Sequence, residues 1–144
     1  MTILVENLPE QRSASGPVEY VKLSWHDRCK PRIRVTTEKG TELALALPRG
    51  TVISDGTLLY DSHERSVCAR ASEEDLVVVP APSPRIAATV AHHLGNWHRS
   101  LQVLDDGSIA TEHDAPFVEW LERVGIKHER RNMPYHPDCR GDAQ

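Results

Sequence analysis

The chain has 144 residues and a formal net charge of −4. Its 39% hydrophobic and 26% charged residues are typical of a globular protein and exclude long disordered stretches. Because phosphate binding needs a basic face, the acidic balance gives no reason to expect a nucleic-acid partner. A membrane-spanning helix needs about 18 consecutive apolar residues, and no segment approaches that length, so no membrane association is expected.

The cysteine pattern and the N-terminal segment indicate a cytoplasmic protein. Three widely spaced cysteines, Cys29, Cys68 and Cys139, suit a reducing compartment better than a disulfide framework. Residues 1–16 lack both the basic region and the apolar core of a secretory signal.

Residues 1–74 are predicted to form a small all-β domain. The segment 31–37 alternates apolar and polar residues, with Ile33 and Val35 on one side, and the segment 41–47 repeats this alternation after a turn. Together they predict a hairpin. Turn residues recur every eight to twelve positions or so, which is typical of a β-sandwich or an open barrel.

The first predicted helix begins after Ser83, a residue type that favours the N-cap position. Ile86, Val90 and Leu94 follow at four-residue spacing and predict one apolar stripe. Gly95 is expected to adopt the left-handed conformation that ends the helix.

The second predicted helix begins after Asp114 and ends at Gly125. Its apolar face is expected to contain Phe117, Leu121 and Val124.

Four predicted strands flank these helices, at segments 75–79, 100–104, 109–113 and 126–133. Leu101 and Val103 are expected to face the helices. The resulting order, β-α-β-β-α-β, is the ferredoxin-like motif, in which both helices cover one face of a four-stranded sheet. We therefore expect an α+β chain with a partner-binding β domain at 1–74, a ferredoxin-like domain at 75–133 and a flexible tail at 134–144.

Histidine is the one unevenly distributed residue, since six of the eight histidines follow residue 90. His98 lies between a helix and a strand, where an exposed loop histidine is the simpler interpretation from the residues alone. His113 precedes the predicted start of the second helix. His136 and Cys139 have a spacing that allows two donors to chelate one divalent ion, although such a pair also arises by chance.

Motifs for catalysis are missing from the sequence. No Ser or Cys nucleophile stands in a recognisable motif with a base, and no glycine-rich phosphate loop occurs. An enzyme is therefore not expected.

Three segments together resemble the UreE family of urease accessory nickel chaperones. They are KPRIRVTTEKGTELALALPRGTVISDGTLL at 30–59, HHLGNWHRSLQV at 92–103 and EHDAPFVEWLERVG at 112–125. The first contains the family's Leu-Pro-Arg-Gly step. The second contains Gly-Asn-x-His followed by Leu-Gln, and its His98 matches the family's central metal-binding histidine.

The resemblance implies a homodimer that binds nickel and transfers it to the urease activation complex, which includes a nickel-binding GTPase. It further implies that the β domain engages partner proteins and that the C-terminal domain dimerises and holds metal. Near a two-fold axis, His98 of each chain would supply one imidazole to a shared ion. His136, Cys139 or His113 could complete the coordination shell.

The sequence departs from the family pattern at Ala115, where many members have a second histidine after His-Asp, and in a tail that offers only His136 and Cys139. We therefore expect about one tightly bound ion per dimer. The alternatives that stay open are a carrier or buffer for zinc or copper and a metal-free protein-binding adaptor.

Overall fold

The computed structural model describes residues 1–139 and has two compact units. The first unit is Met1–Ser72, and the second begins at Glu73. No helix in the described part of the chain is long and apolar enough to span a bilayer.

All regular elements of the first unit except one helical turn are strands. Its elements are β1 (Thr2–Val5), β2 (Val18–Leu23), the single-turn helix α1 (Trp25–Arg28), β3 (Arg32–Thr36), β4 (Glu42–Ala46), β5 (Leu58–Asp61) and β6 (Ser66–Ala71). The strands form two three-stranded sheets, with orders β1-β4-β3 and β2-β6-β5.

The predicted hairpin is confirmed, because β3 pairs with β4 in antiparallel register. Val35, Leu43 and Leu45 are buried in one apolar core, as their alternation predicts. The sequence did not predict α1: the Ser24 hydroxyl accepts a hydrogen bond from the Asp27 amide and starts a helical turn directly after β2.

The second unit has the predicted β-α-β-β-α-β order. Its elements are β7 (Glu73–Val79), α2 (Pro84–Asn96), β8 (Gln102–Val103), β9 (Ile109–Glu112), α3 (Ala115–Val124) and β10 (Glu129–Pro134). The sheet order is β10-β7-β9-β8, and every neighbouring pair is antiparallel. The α+β fold class with a ferredoxin-like second half is therefore confirmed.

The helix boundaries follow local chemistry at three of the four ends. The side chains of Ser83 and Asp114 accept hydrogen bonds from the backbone and cap α2 and α3. Gly125 ends α3 with a φ of 75°. The prediction for Gly95 was wrong: α2 continues through Gly95, and His98 is the residue with positive φ.

The helices bury their predicted stripe against the sheet, with Val90, Leu94, Phe117 and Leu121 in one core. Two residues expected in this core lie outside it. Val103 is 53% exposed because β8 is a two-residue strand at the sheet edge, and Val124, the last residue of α3, is 49% exposed.

Residues 134–139 are more firmly bound to the rest of the second unit than the prediction of a flexible tail implies. Pro134 belongs to β10, Tyr135 is fully buried, and Cys139 forms a β-bridge with Leu101. The rest of the predicted tail, 140–144, lies outside the described residues.

The two helix-terminal glycines give a matched pair of substitutions. Gly95→Ala is expected to stabilise the protein by up to about 1 kcal/mol, because Gly95 is helical and an added Cβ would meet nothing within 4 Å. Gly125→Ala is expected to destabilise it by about 1 kcal/mol, because φ there is positive. Urea unfolding measures the change in unfolding free energy for each variant. A change of the same sign in both variants would contradict the observed helix ends.

Candidate metal centre

His98 is an exposed side chain on a strained backbone. It lies between α2 and β8, and its φ of 57° is in the left-handed region. For a residue other than glycine, this conformation costs roughly 1–2 kcal/mol. The His98 amide donates to the Gly95 carbonyl at 3.0 Å, which closes a tight turn after the helix. Surrounding contacts must therefore hold the His98 backbone in this conformation.

The next residue ties the loop to the start of α3. The Arg99 amide donates to the Leu94 carbonyl at 2.8 Å, and its guanidinium donates to the Asp114 carboxylate at 3.0 Å. The other carboxylate oxygen of Asp114 caps α3 by accepting from the Phe117 amide. Because one carboxylate makes both bonds, the His98 loop and the first turn of α3 are fixed together.

A buried hydroxyl pair anchors the loop on its other side. The Ser100 and Tyr135 hydroxyls are 2.7 Å apart, and both residues are buried. The Ser100 carbonyl also accepts from the Thr111 hydroxyl at 2.7 Å. Burial raises the pKa of Tyr135 to about 12, so the phenol stays protonated and keeps its hydrogen-bonding role.

The segment after Tyr135 runs beside the edge strand β8. The His136 amide donates to the Gln102 side chain at 3.0 Å, and Cys139 exchanges backbone hydrogen bonds with Leu101. Both His136 and Cys139 are exposed. The structure thus joins the backbone that carries these two donors to the strand that His98 precedes.

His113 has a different setting at the end of β9. Its amide donates to the Asp75 carbonyl at 2.9 Å, and it is half-buried. Two hydrogen bonds from Arg130, at 2.8 and 2.6 Å, occupy the Asp75 carboxylate and lower its pKa. The neighbour of His113, Asp114, is bound to Arg99 of the His98 loop.

The four predicted ligands do not form a complete site within one chain. Among residues 1–139, no three His, Cys, Asp or Glu side chains are grouped so that they could hold a metal ion. A single exposed histidine leaves most coordination positions to be filled from elsewhere.

The sequence did not reveal an aromatic stack behind the loop. The His93 ring lies 3.8 Å from the Trp120 ring, at an interplanar angle of 7°, and 4.3 Å from the Trp97 ring. His93 Nε2 is buried and has no hydrogen-bond partner within residues 1–139. Burial, and then the nearby Arg123 and His92, lower the pKa of His93, so the neutral ring is favoured.

Comparison with known families identifies the chain. Residues 1–72 match the model of the UreE urease accessory protein N-terminal domain, and residues 74–144 match the model of the C-terminal domain. The chain therefore belongs to the UreE urease accessory protein family, as its motifs predict.

Several curated relatives support this assignment. The chain is 37% identical to the urease accessory protein UreE of Burkholderia thailandensis over 117 residues, which cover 81% of this chain and 54% of the relative. It is 35% identical to the corresponding proteins of Burkholderia mallei and Burkholderia pseudomallei, with 81% of this chain and 57% of each relative covered. The chain thus spans little more than half the length of these relatives.

Replacing His98 separates backbone strain from metal chemistry. We expect His98→Gly to be more stable than His98→Ala by about 1 kcal/mol, because only glycine adopts a positive φ without a Cβ penalty. Denaturant unfolding of the two variants checks this difference. If the alanine variant were the more stable, the left-handed conformation would be contradicted.

The stack predicts a pH-dependent stability. The pKa of His93 in the folded protein is lowered from 6.5. Below that pH the unfolded chain therefore binds more protons than the folded chain does, and the contribution of neutral His93 to stability is lost as pH falls through 6.5. His93→Phe keeps an aromatic ring and removes the titration, so its unfolding free energy should fall less between pH 8 and pH 5.5 or so. His63→Phe, at an exposed position of the first unit, is the control and should behave as wild type. Identical pH profiles for wild type and His93→Phe would be the contrary result.

Proposed function

We propose that the protein is a non-catalytic carrier that binds Ni²⁺ between two copies of the chain and releases it for urease maturation. The observation that carries this proposal is the exposed imidazole of His98. The backbone of this residue has a positive φ, and bonds on both sides hold its loop in place. A backbone strain of this kind persists where the structure around it over-determines the conformation. A metal-binding role for His98 would account for this strained conformation.

A second copy of the chain would complete the coordination that one chain lacks. In a two-fold dimer, a residue near the axis faces its own counterpart, so two His98 imidazoles could share one ion. Neutral imidazole is a good ligand for Ni²⁺. Two nitrogens leave coordination positions open, and an incomplete shell lets a carrier release its cargo.

His136 and Cys139 are the supporting ligands in this proposal. Both are exposed, and hydrogen bonds made by their backbones hold them beside β8, the strand that follows the His98 loop. His113 ranks below them because its amide is bound to β7 and it sits beside the Asp75–Arg130 pair. About one tightly bound ion per dimer is expected.

The choice of nickel follows from the family and not from the donors. Affinity for imidazole and thiolate sites rises from nickel to copper, so these ligands alone do not exclude copper or zinc. A carrier for zinc or copper is the second candidate, and the exposed thiol of Cys139, which follows His136 closely in the sequence, favours it. In the nickel proposal, a cytoplasmic urease activation complex with a nickel-binding GTPase receives the ion.

Equilibrium nickel binding tests the ligand assignment. We expect His98→Ala to weaken nickel affinity by more than about 100-fold, because both imidazoles of the shared site are lost. His136→Ala and Cys139→Ser should each weaken it by less than about tenfold. Affinity should also fall as pH is lowered, since imidazolium cannot coordinate a metal.

His92→Ala is the matched control, because His92 is exposed on α2 and should not contribute. Calorimetric titration of the four variants and wild type measures these effects. A His98→Ala variant that retains wild-type affinity would refute the proposed site.

A further inference from the structure

The first unit has a groove in which two cations lie side by side. Lys22 of β2 and Arg70 of β6 are directly paired in the parallel register of these strands, and both are exposed. Neighbouring strands are about 4.8 Å apart, so the two side chains leave the sheet as close neighbours on one face. Like charges opposite each other across a sheet destabilise it.

Neither cation forms an ion pair within the part of the chain that the structure describes. Among residues 1–139, no Asp or Glu oxygen lies within 4.0 Å of the Lys22 or Arg70 side-chain nitrogens. The chain as a whole is acidic, so this pair does not follow from a general excess of basic residues.

An aromatic ring fixes one of the two charges. The Arg70 guanidinium carbon lies 3.7 Å from the centre of the Tyr20 ring. A cation over a ring face at this distance is stabilised electrostatically, and the flat guanidinium keeps its hydrogen-bond donors at the edge. Arg70 is therefore oriented before any ligand arrives, which reduces the entropy lost on binding.

The two cations border a groove that is large enough to hold part of a ligand. The groove has a volume of about 540 Å³ and is lined by Tyr20, Lys22, Thr36, Thr37, Glu38 and Arg70. Glu38 is its one acidic group, and its carboxylate accepts a hydrogen bond from the Tyr20 amide at 2.7 Å. That bond engages the Glu38 charge with the backbone, and Glu38 forms no ion pair with Lys22 or Arg70.

The backbone of Glu38 limits how a ligand could bind beside Tyr20. Its amide donates to the Tyr20 carbonyl, so both backbone groups of Tyr20 are already paired at this strand edge. Addition of a partner strand is blocked at that point, and recognition must use the side chains of the groove. Two adjacent cations and an exposed Thr36 match the oxygens of carboxylate groups.

We propose that this groove is a docking site for an Asp- and Glu-rich segment of a partner protein. The proposal is independent of nickel binding by His98. A nucleic-acid site follows the nucleic-acid backbone and makes many phosphate contacts. Two cations are few for such a site, so an acidic peptide fits better.

Fluorescence anisotropy on the full chain tests the proposal with a labelled short peptide rich in Asp and Glu. Lys22→Glu and Arg70→Glu should each weaken binding at least about tenfold, and added salt should weaken it further. Tyr20→Leu removes the ring beneath Arg70 and should weaken binding about threefold. Arg49→Glu, an equal charge change at an exposed residue outside the groove, should change it less than about twofold.

Three results would overturn the proposal. They are equal weakening by all three charge reversals, wild-type binding to a Lys-rich peptide as tight as to the acidic one, and tighter binding to single-stranded DNA than to the acidic peptide. Nickel affinity should be unchanged in Lys22→Glu and Arg70→Glu, so failure here is distinguishable from failure of the metal proposal. Thermal unfolding shows whether each variant is folded.

Discussion

The buried hydrogen bond between the Ser100 and Tyr135 hydroxyls links the two segments of the second unit that contain the proposed metal ligands. It joins the loop that contains His98 to the segment that contains His136. A satisfied bond of this kind contributes only about 1 kcal/mol, but removing one partner leaves the other buried and unpaired at a cost of roughly 1–3 kcal/mol. The penalty resists separation of the two segments, and the raised pKa of Tyr135 keeps its proton in place at ordinary pH. With the Arg99–Asp114 ion pair, this bond opposes the strain at His98.

The two units have different chemistry. The second unit has exposed imidazoles and a thiol on a rigid scaffold, which suits a borderline metal ion. The first unit has a pair of cations on a β-sheet with no ion-pair partner among residues 1–139, which suits carboxylates of a partner. The proposed carrier function needs both properties, since a carrier must hold an ion weakly enough to release it and must recognise the protein that accepts it. Binding and recognition can then be altered by separate mutations.

Local patterns predicted most of the fold, and contacts between distant residues explain what they missed. The caps at Ser83 and Asp114 and the turn at Gly125 depend on a few neighbouring residues, so the sequence reveals them. Gly95 looks like a helix terminator, but the helix end is set by contacts of the His98 loop, including one between residues 99 and 114. The burial of Tyr135 and the stacking of His93 on Trp120 likewise join residues far apart in the chain. The motif around His98 came from family resemblance, since its residues alone favoured an ordinary exposed histidine.

The central claim is that one ion is shared by two copies of His98. Native mass spectrometry of the nickel-loaded protein tests it directly, because it reports mass and metal content of each species together. The account predicts that nickel is found on the dimer, with one ion for two chains, and that chelation of the metal shifts the population toward the monomer. A monomer that carries one nickel ion per chain at the same affinity would contradict it.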